Sequence, residues 1–187
     1  MPKAASMLPA HEAATPHLEA LAGGRYTRAA IAAVRIVVAL MWIQNLNWKI
    51  PPDFGRARHA DLYAFVQDAV THPVVPAYSW LVEHLVLPHF IVFGYLTLVT
   101  EFGLGVFLLT GLLTRLWAVI GIAQSLAITL SVLNTPGEWH WSYFLMITAH
   151  VALLATAAGR AGGLDGLLRP AWRRSTSVIA RLALAAS

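Results

Sequence analysis

The sequence predicts an all-α integral membrane protein: a four-transmembrane-helix bundle with interfacial helices in its outer connection and an amphipathic C-terminal helix. Three observations carry that prediction. Of 187 residues, 58% are hydrophobic and 12% charged, whereas a soluble domain has about 45–50% apolar and about 25% charged residues. Four apolar runs each approach the ~20 residues needed to cross about 30 Å of hydrocarbon. The basic residues flanking those runs cluster on one side of the implied membrane.

The elements follow in order. Residues 1–27 form an N-terminal arm without periodicity or the apolar core of a signal peptide. The first span, about 28–46, contains AAIAAVRIVVALMWI with Arg35 inside it, and stops at NLNWKIPPDFG, where paired prolines remove backbone donors. The second span, about 90–113, contains Glu101; the third, 116–133, contains Gln124; the fourth, 139–158, contains His150. These make a membrane domain over 28–159, followed by a basic amphipathic tail over 160–187.

The connection at 46–88 is more than a loop. In HADLYAFVQDAVTH, Leu62, Phe65, Val66, Ala69 and Val70 recur at helical spacing and form one apolar face. A second short helix is expected between Pro76 and Pro88, both lying on the membrane or over the bundle mouth. In the tail, Pro170 is expected to open a helix with Arg173, Arg174 and Arg181 on its polar side.

Arg25 and Arg28 precede the first span, Arg115 joins the second to the third, and five arginines follow the fourth against the single acid Asp165. The positive-inside rule places these regions and both termini in the cytoplasm, with the chain multi-pass in the inner (plasma) membrane. The arginine tail then faces anionic lipid rather than nucleic acid. Trp48, Tyr78, Trp80, Trp139, Trp141 and Tyr143 form an aromatic belt at the outer interface. No cysteine occurs, so thiolate-held clusters and dithiol relays are excluded.

Glu101, Gln124 and His150 fall near the middle of three different spans, with Arg35 about one turn toward the cytoplasm. A charge at the centre of a membrane helix costs ~2.5–3.5 kcal/mol on insertion scales, so these groups should face inward and meet partners. Arg35 and His150 are the expected partners of Glu101. Two readings stand side by side. One is a polar clasp between helices, at about 0.6 kcal/mol per bond, which suits Gln124. The other is proton exchange with a quinone by Glu101 and His150, whose protonation responds to a low dielectric. His84, His89 and His140 show no metal-ligand spacing, and no metal is expected. GLDGLL at 163–168 reads as a turn and a helix start.

Several blocks in order resemble the DoxD-like branch of the DoxX family. They are Arg35 leading into NWKIPPDFG, LYAFVQDAVTHPVVPAYSWLVEHLVLPHF, TEFGLGVFLLTGLLTR, NTPGEWHWSYFLM and GRAGGLDGLLR. The resemblance covers about 30–168. It implies a small subunit of a thiosulfate:quinone oxidoreductase, joining two thiosulfates to tetrathionate and passing two electrons to quinone, beside a DoxA-like partner subunit. Quinone enters as substrate. Beside the proton groups Glu101 and His150, the candidate substrate-binding residues are Arg35, Asn45, Trp48, Lys49, Gln124, Trp139 and His140. Lys49, Arg56 and Arg58 offer positive charge to an outer anion site, but Asp53, Asp61, Asp68, Glu83 and Glu138 make that face net acidic. The alternative is a non-catalytic anchor or accessory subunit of a larger respiratory complex. A small transporter or lipid-binding protein is the third reading, favoured by the intramembrane charges but without the inverted repeat or broken helix that would support it.

Overall fold

The computed structural model describes residues 24–187, and the expected arm therefore lies, for 1–23, outside the described residues. Among the described residues the secondary structure is all helical. Eight α-helices follow in order: α1 (Arg25–Gln44), α2 (Asp61–Thr71), α3 (Pro76–Leu81), α4 (Phe90–Thr110), α5 (Thr114–Val132), α6 (His140–Thr156), α7 (Leu164–Arg174) and α8 (Val178–Ala186). Three of them, α1, α4 and α5, are long and apolar enough to cross a membrane.

The termini differ from the expected spans for local backbone reasons. Helix α1 starts at Arg25 and passes into a turn after Gln44. Helix α4 stops at Thr110 because Gly111 takes a left-handed conformation (φ 66°), which glycine adopts at little cost. Helix α6 has 17 residues, about 25 Å at 1.5 Å per residue, shorter than the expected 139–158. Trp139 stays extended and Ala157 turns left-handed at its two ends.

Helix α1 packs along α4, α5 along α6, and α4 meets α5. Val38, Ala39 and Trp42 of α1 join Leu104 and Leu108 of α4, Ala118 of α5 and Leu153 of α6 in one apolar core. The connection after α1 folds onto this bundle. Helix α2 lies on α5, while Tyr78 donates to the Ala127 carbonyl at 3.1 Å. The Asn134 amide reaches the Pro73 carbonyl at 2.8 Å. Phe54, Leu62 and Phe90 form a second small core beneath these elements.

The opposite end of the bundle, where α1 begins and α4 turns into α5, carries the arginines other than Arg56 and Arg58. Arg35 is 1% exposed, and its guanidinium donates to the Leu108 and Leu109 carbonyls at 2.5 and 2.8 Å. A further donation reaches the Gly162 carbonyl at 3.3 Å. It therefore caps the C-terminal carbonyls of α4, where positive charge complements the helix dipole. Asp165, fully buried, accepts from the Leu113 and Thr114 backbone N–H groups at 2.7 and 2.9 Å, which satisfies donors at the start of α5.

The tail departs from expectation. Pro170 does not open a helix; it lies inside α7. That helix starts earlier because the Asp165 backbone N–H is pinned to the Gly111 carbonyl at 2.9 Å. The chain breaks after Arg174, and Ser177 caps α8 by accepting from the Ala180 N–H at 3.1 Å. Arg160 and Arg169 then hold the end of α8 through the Ser187 and Leu184 backbone oxygens.

Candidate functional site

Glu101 stands in the middle of α4 with its side chain wholly enclosed. An enclosed carboxylate needs a cation and donors to offset its lost hydration. The structure supplies both. The Lys49 ammonium lies 2.7 Å from one carboxylate oxygen, and the Asn45 amide donates to the same oxygen at 3.2 Å. The Gln124 amide of α5 donates to the other at 3.3 Å.

Lys49 arrives from outside the helix. After α1 ends, the turn through Asn45–Asn47 brings the chain back over the bundle, and the Lys49 ammonium also donates to the Asn45 carbonyl at 3.0 Å. Its charge sits 3.9 Å from the centre of the Trp48 ring, a cation–π contact. The Trp48 indole N–H donates to the Asn45 side-chain oxygen at 3.1 Å, and Phe65 of α2 packs against the same ring at 5.2 Å. Asn45 is thus held from both sides, giving one connected network of Trp48, Asn45, Glu101, Lys49 and Gln124.

His150 belongs to the next layer. Its Nε2 accepts from the Trp42 indole N–H at 2.9 Å. Its Nδ1 lies 2.8 Å from the Met146 carbonyl. An indole nitrogen only donates, so Nε2 carries the lone pair and Nδ1 the proton: a neutral imidazole with both nitrogens engaged. Gly121 of α5 makes room for the ring, since a Cβ there would lie 2.0 Å from His150 Cδ2. Trp42 precedes Asn45 on α1, and Gly121 precedes Gln124 on α5, by three residues each. The histidine layer is therefore ~4.5 Å nearer the arginine end.

These placements revise the expected grouping. The partner of Glu101 is Lys49, rather than Arg35 or His150. Arg35 is committed to the end of α4, and no hydrogen bond or ion pair joins His150 to Glu101 among the described residues. Lys49, expected to offer charge to an outer anion, is 3% exposed and turned inward. Asn45, Trp48 and Gln124 are brought together with Glu101. Trp139 is not: it is 66% exposed, and His140 beside it is also exposed. Sequence reasoning assigned Asp165 no role, although it closes the α4–α5 turn. Its signal was being the one acid among five arginines. No three of His, Asp and Glu converge on a metal-sized site among the described residues.

A helical membrane protein with a sealed carboxylate–ammonium pair in its bundle is the class these features define. Within that class, the chain belongs to the DoxD family: the family model described as TQO small subunit DoxD matches residues 31–185. The match runs beyond Leu168, so the second half of α7 and most of α8, which the sequence resemblance had left out, are part of the shared pattern. Neither the curated proteins nor the solved structures compared with it gave a match.

Proposed function

We propose that the chain is the membrane subunit of a thiosulfate:quinone oxidoreductase, with the Glu101–Lys49 pair managing protons at the quinone. Two thiosulfates each give up one electron as their sulfur–sulfur bond forms, yielding tetrathionate. The quinone takes those two electrons and two protons to become the quinol. Family membership supports the reaction class. The single observation that carries the site is a carboxylate 2.7 Å from an ammonium, inside a bundle of apolar helices. Burial favours proton exchange within such a pair, because transfer from Lys49 to Glu101 replaces two charges with two neutral groups. Asn45 and Gln124 hold the carboxylate in position, and Trp48 closes the edge at which a quinone head group approaches.

In this reading α6 is the fourth span and both termini are cytoplasmic in the plasma membrane. Trp139 and His140 then stand at the outer surface, away from the proton groups. His150 acts as a fixed neutral ring that positions Trp42. Lys49 is turned inward and Arg58 is paired with Asp61 at 2.6 Å, which leaves Arg56 alone of those three outer cations; in this reading a DoxA-like partner subunit supplies the rest of the thiosulfate site.

The test is quinone reduction by the purified protein, with and without a DoxA-like partner, on adding thiosulfate and a short-chain quinone. Glu101→Gln is expected to slow quinone reduction by about 10²–10⁴-fold, the usual contribution of a positioned acid or base. An unchanged rate would overturn the assignment. The enclosure of both Lys49 and Glu101 favours a second reading, a polar clasp in an accessory subunit. It predicts no quinone reduction under either condition and co-purification with an enzyme that has its own quinone site.

A further inference from the structure

A groove of about 500 Å³ lies between α5, α6 and α8, lined by Arg115 together with Leu116, Val119, Leu154, Leu182 and Ala185. We propose that this groove holds one anionic phospholipid, with its phosphate on the Arg115 guanidinium and an acyl chain against the apolar wall. The volume falls within the ~300–1,000 Å³ of ordinary small-molecule sites.

Charge is the first argument. The Arg115 guanidinium has no hydrogen-bond or ion-pair partner among the described residues. Arg169 stands close by: burial, together with the neighbouring Arg160, Arg173 and Arg115, lowers its proton affinity below that of an ordinary arginine, with Asp165 opposing. Arg160 and Arg169 are engaged with backbone oxygens at the end of α8, whereas Arg115 and Arg173 make no hydrogen bond or ion pair among the described residues. From residue 160 onward Asp165 is the only acidic side chain, and its two oxygens are taken by the N–H groups of Leu113 and Thr114. Positive charge at this end is therefore left for an external anion, and the guanidinium fork matches a phosphate.

Shape is the second argument. Leu116, Val119 and Leu182 are exposed apolar walls, and the groove follows α5, a helix able to cross a membrane. An extended peptide lying along that helix would leave backbone groups unsatisfied in hydrocarbon. A lipid chain has none to satisfy. Basic pockets between membrane helices are known to take anionic lipid head groups.

The test uses the full chain, delipidated in mild detergent and titrated with dioleoyl phosphatidylglycerol. Thermal midpoint and lipid retained in native mass spectrometry are the readouts. One retained phosphatidylglycerol and a raised midpoint are expected, with no shift from dioleoyl phosphatidylcholine or inorganic phosphate. Arg115→Gln is expected to weaken binding about fivefold, the contribution of one arginine near an anionic surface, and Arg173→Gln similarly. Arg174→Gln, on the same tail, is expected to bind normally. Wild-type affinity in Arg115→Gln, equal retention of phosphatidylcholine, or the same shift from inorganic phosphate would each overturn the proposal.

Discussion

Lys49 and Glu101 meet at 2.7 Å from opposite kinds of structure, a loop above the end of one helix and the centre of another. Each charge alone is costly inside a bundle of apolar helices; together they form a dipole rather than two ions. The amides of Asn45 and Gln124 complete the carboxylate's shell.

Stability should therefore follow the pair and not either member. Lys49→Met is expected to cost about 3–5 kcal/mol, the usual effect of leaving one buried charge alone. Lys49→Met combined with Glu101→Met should recover most of that loss. Unfolding midpoints of the detergent-solubilised variants measure both, and a double variant no better than the single one contradicts the pairing.

Gln124 contributes a neutral hydrogen bond to the same carboxylate, and its removal should be mild. Gln124→Leu is expected to cost about 0.6 kcal/mol, the mean for side-chain bonds between membrane helices. A loss several times larger, in the same unfolding assay, would mean that the amide holds the pair together.

The histidine layer makes a separate prediction. Trp42→Phe removes the donor to His150 Nε2 and should cost about 1–3 kcal/mol, since it orphans a buried acceptor. Nitrogen NMR of the His150 ring in the unaltered protein is expected to show the neutral Nδ1–H tautomer. Gly121→Ala, which places a methyl 2.0 Å from the ring, should displace the imidazole and alter that spectrum. A protonated ring or the opposite tautomer would refute the assignment.

At the arginine end, Asp165→Ala should cost about 1–2 kcal/mol, since it removes the cap from the start of α5. Asp165→Asn keeps one acceptor and should cost less. Melting curves for the two variants give the order directly.

How much was legible beforehand depended on whether an element is set by local pattern or by long-range closure. The apolar runs mark α1, α4 and α5 because a membrane span is a local property of composition and length. Glu101 stands out by its depth in such a run. Its partner did not, because Lys49 lies beyond the end of α1 and its inward reach depends on how the chain turns after Gln44. Lys49 is nevertheless the one lysine among the described residues. Asp165 has no role visible in the sequence beyond the GLDGLL turn and helix start, because its role requires α4, α5 and α7 to meet. The ends of α6 escaped notice because they rest on the backbone conformations of Trp139 and Ala157, which apolar periodicity does not encode.

The cap that Asp165 places on α5 has a consequence for the order in which the protein is made. Lys49 is synthesised before Glu101, so the glutamate reaches the bilayer with its countercharge already in the growing chain. Asp165 has the reverse relation to the helices it joins. The hairpin of α4 and α5 is translated before Asp165, so the N–H groups of Leu113 and Thr114 gain their acceptor only once the chain has grown past that residue. Nascent chains cut before that residue should carry an inserted but unlatched hairpin, open to protease at Gly111–Leu113, and chains extended past it should close.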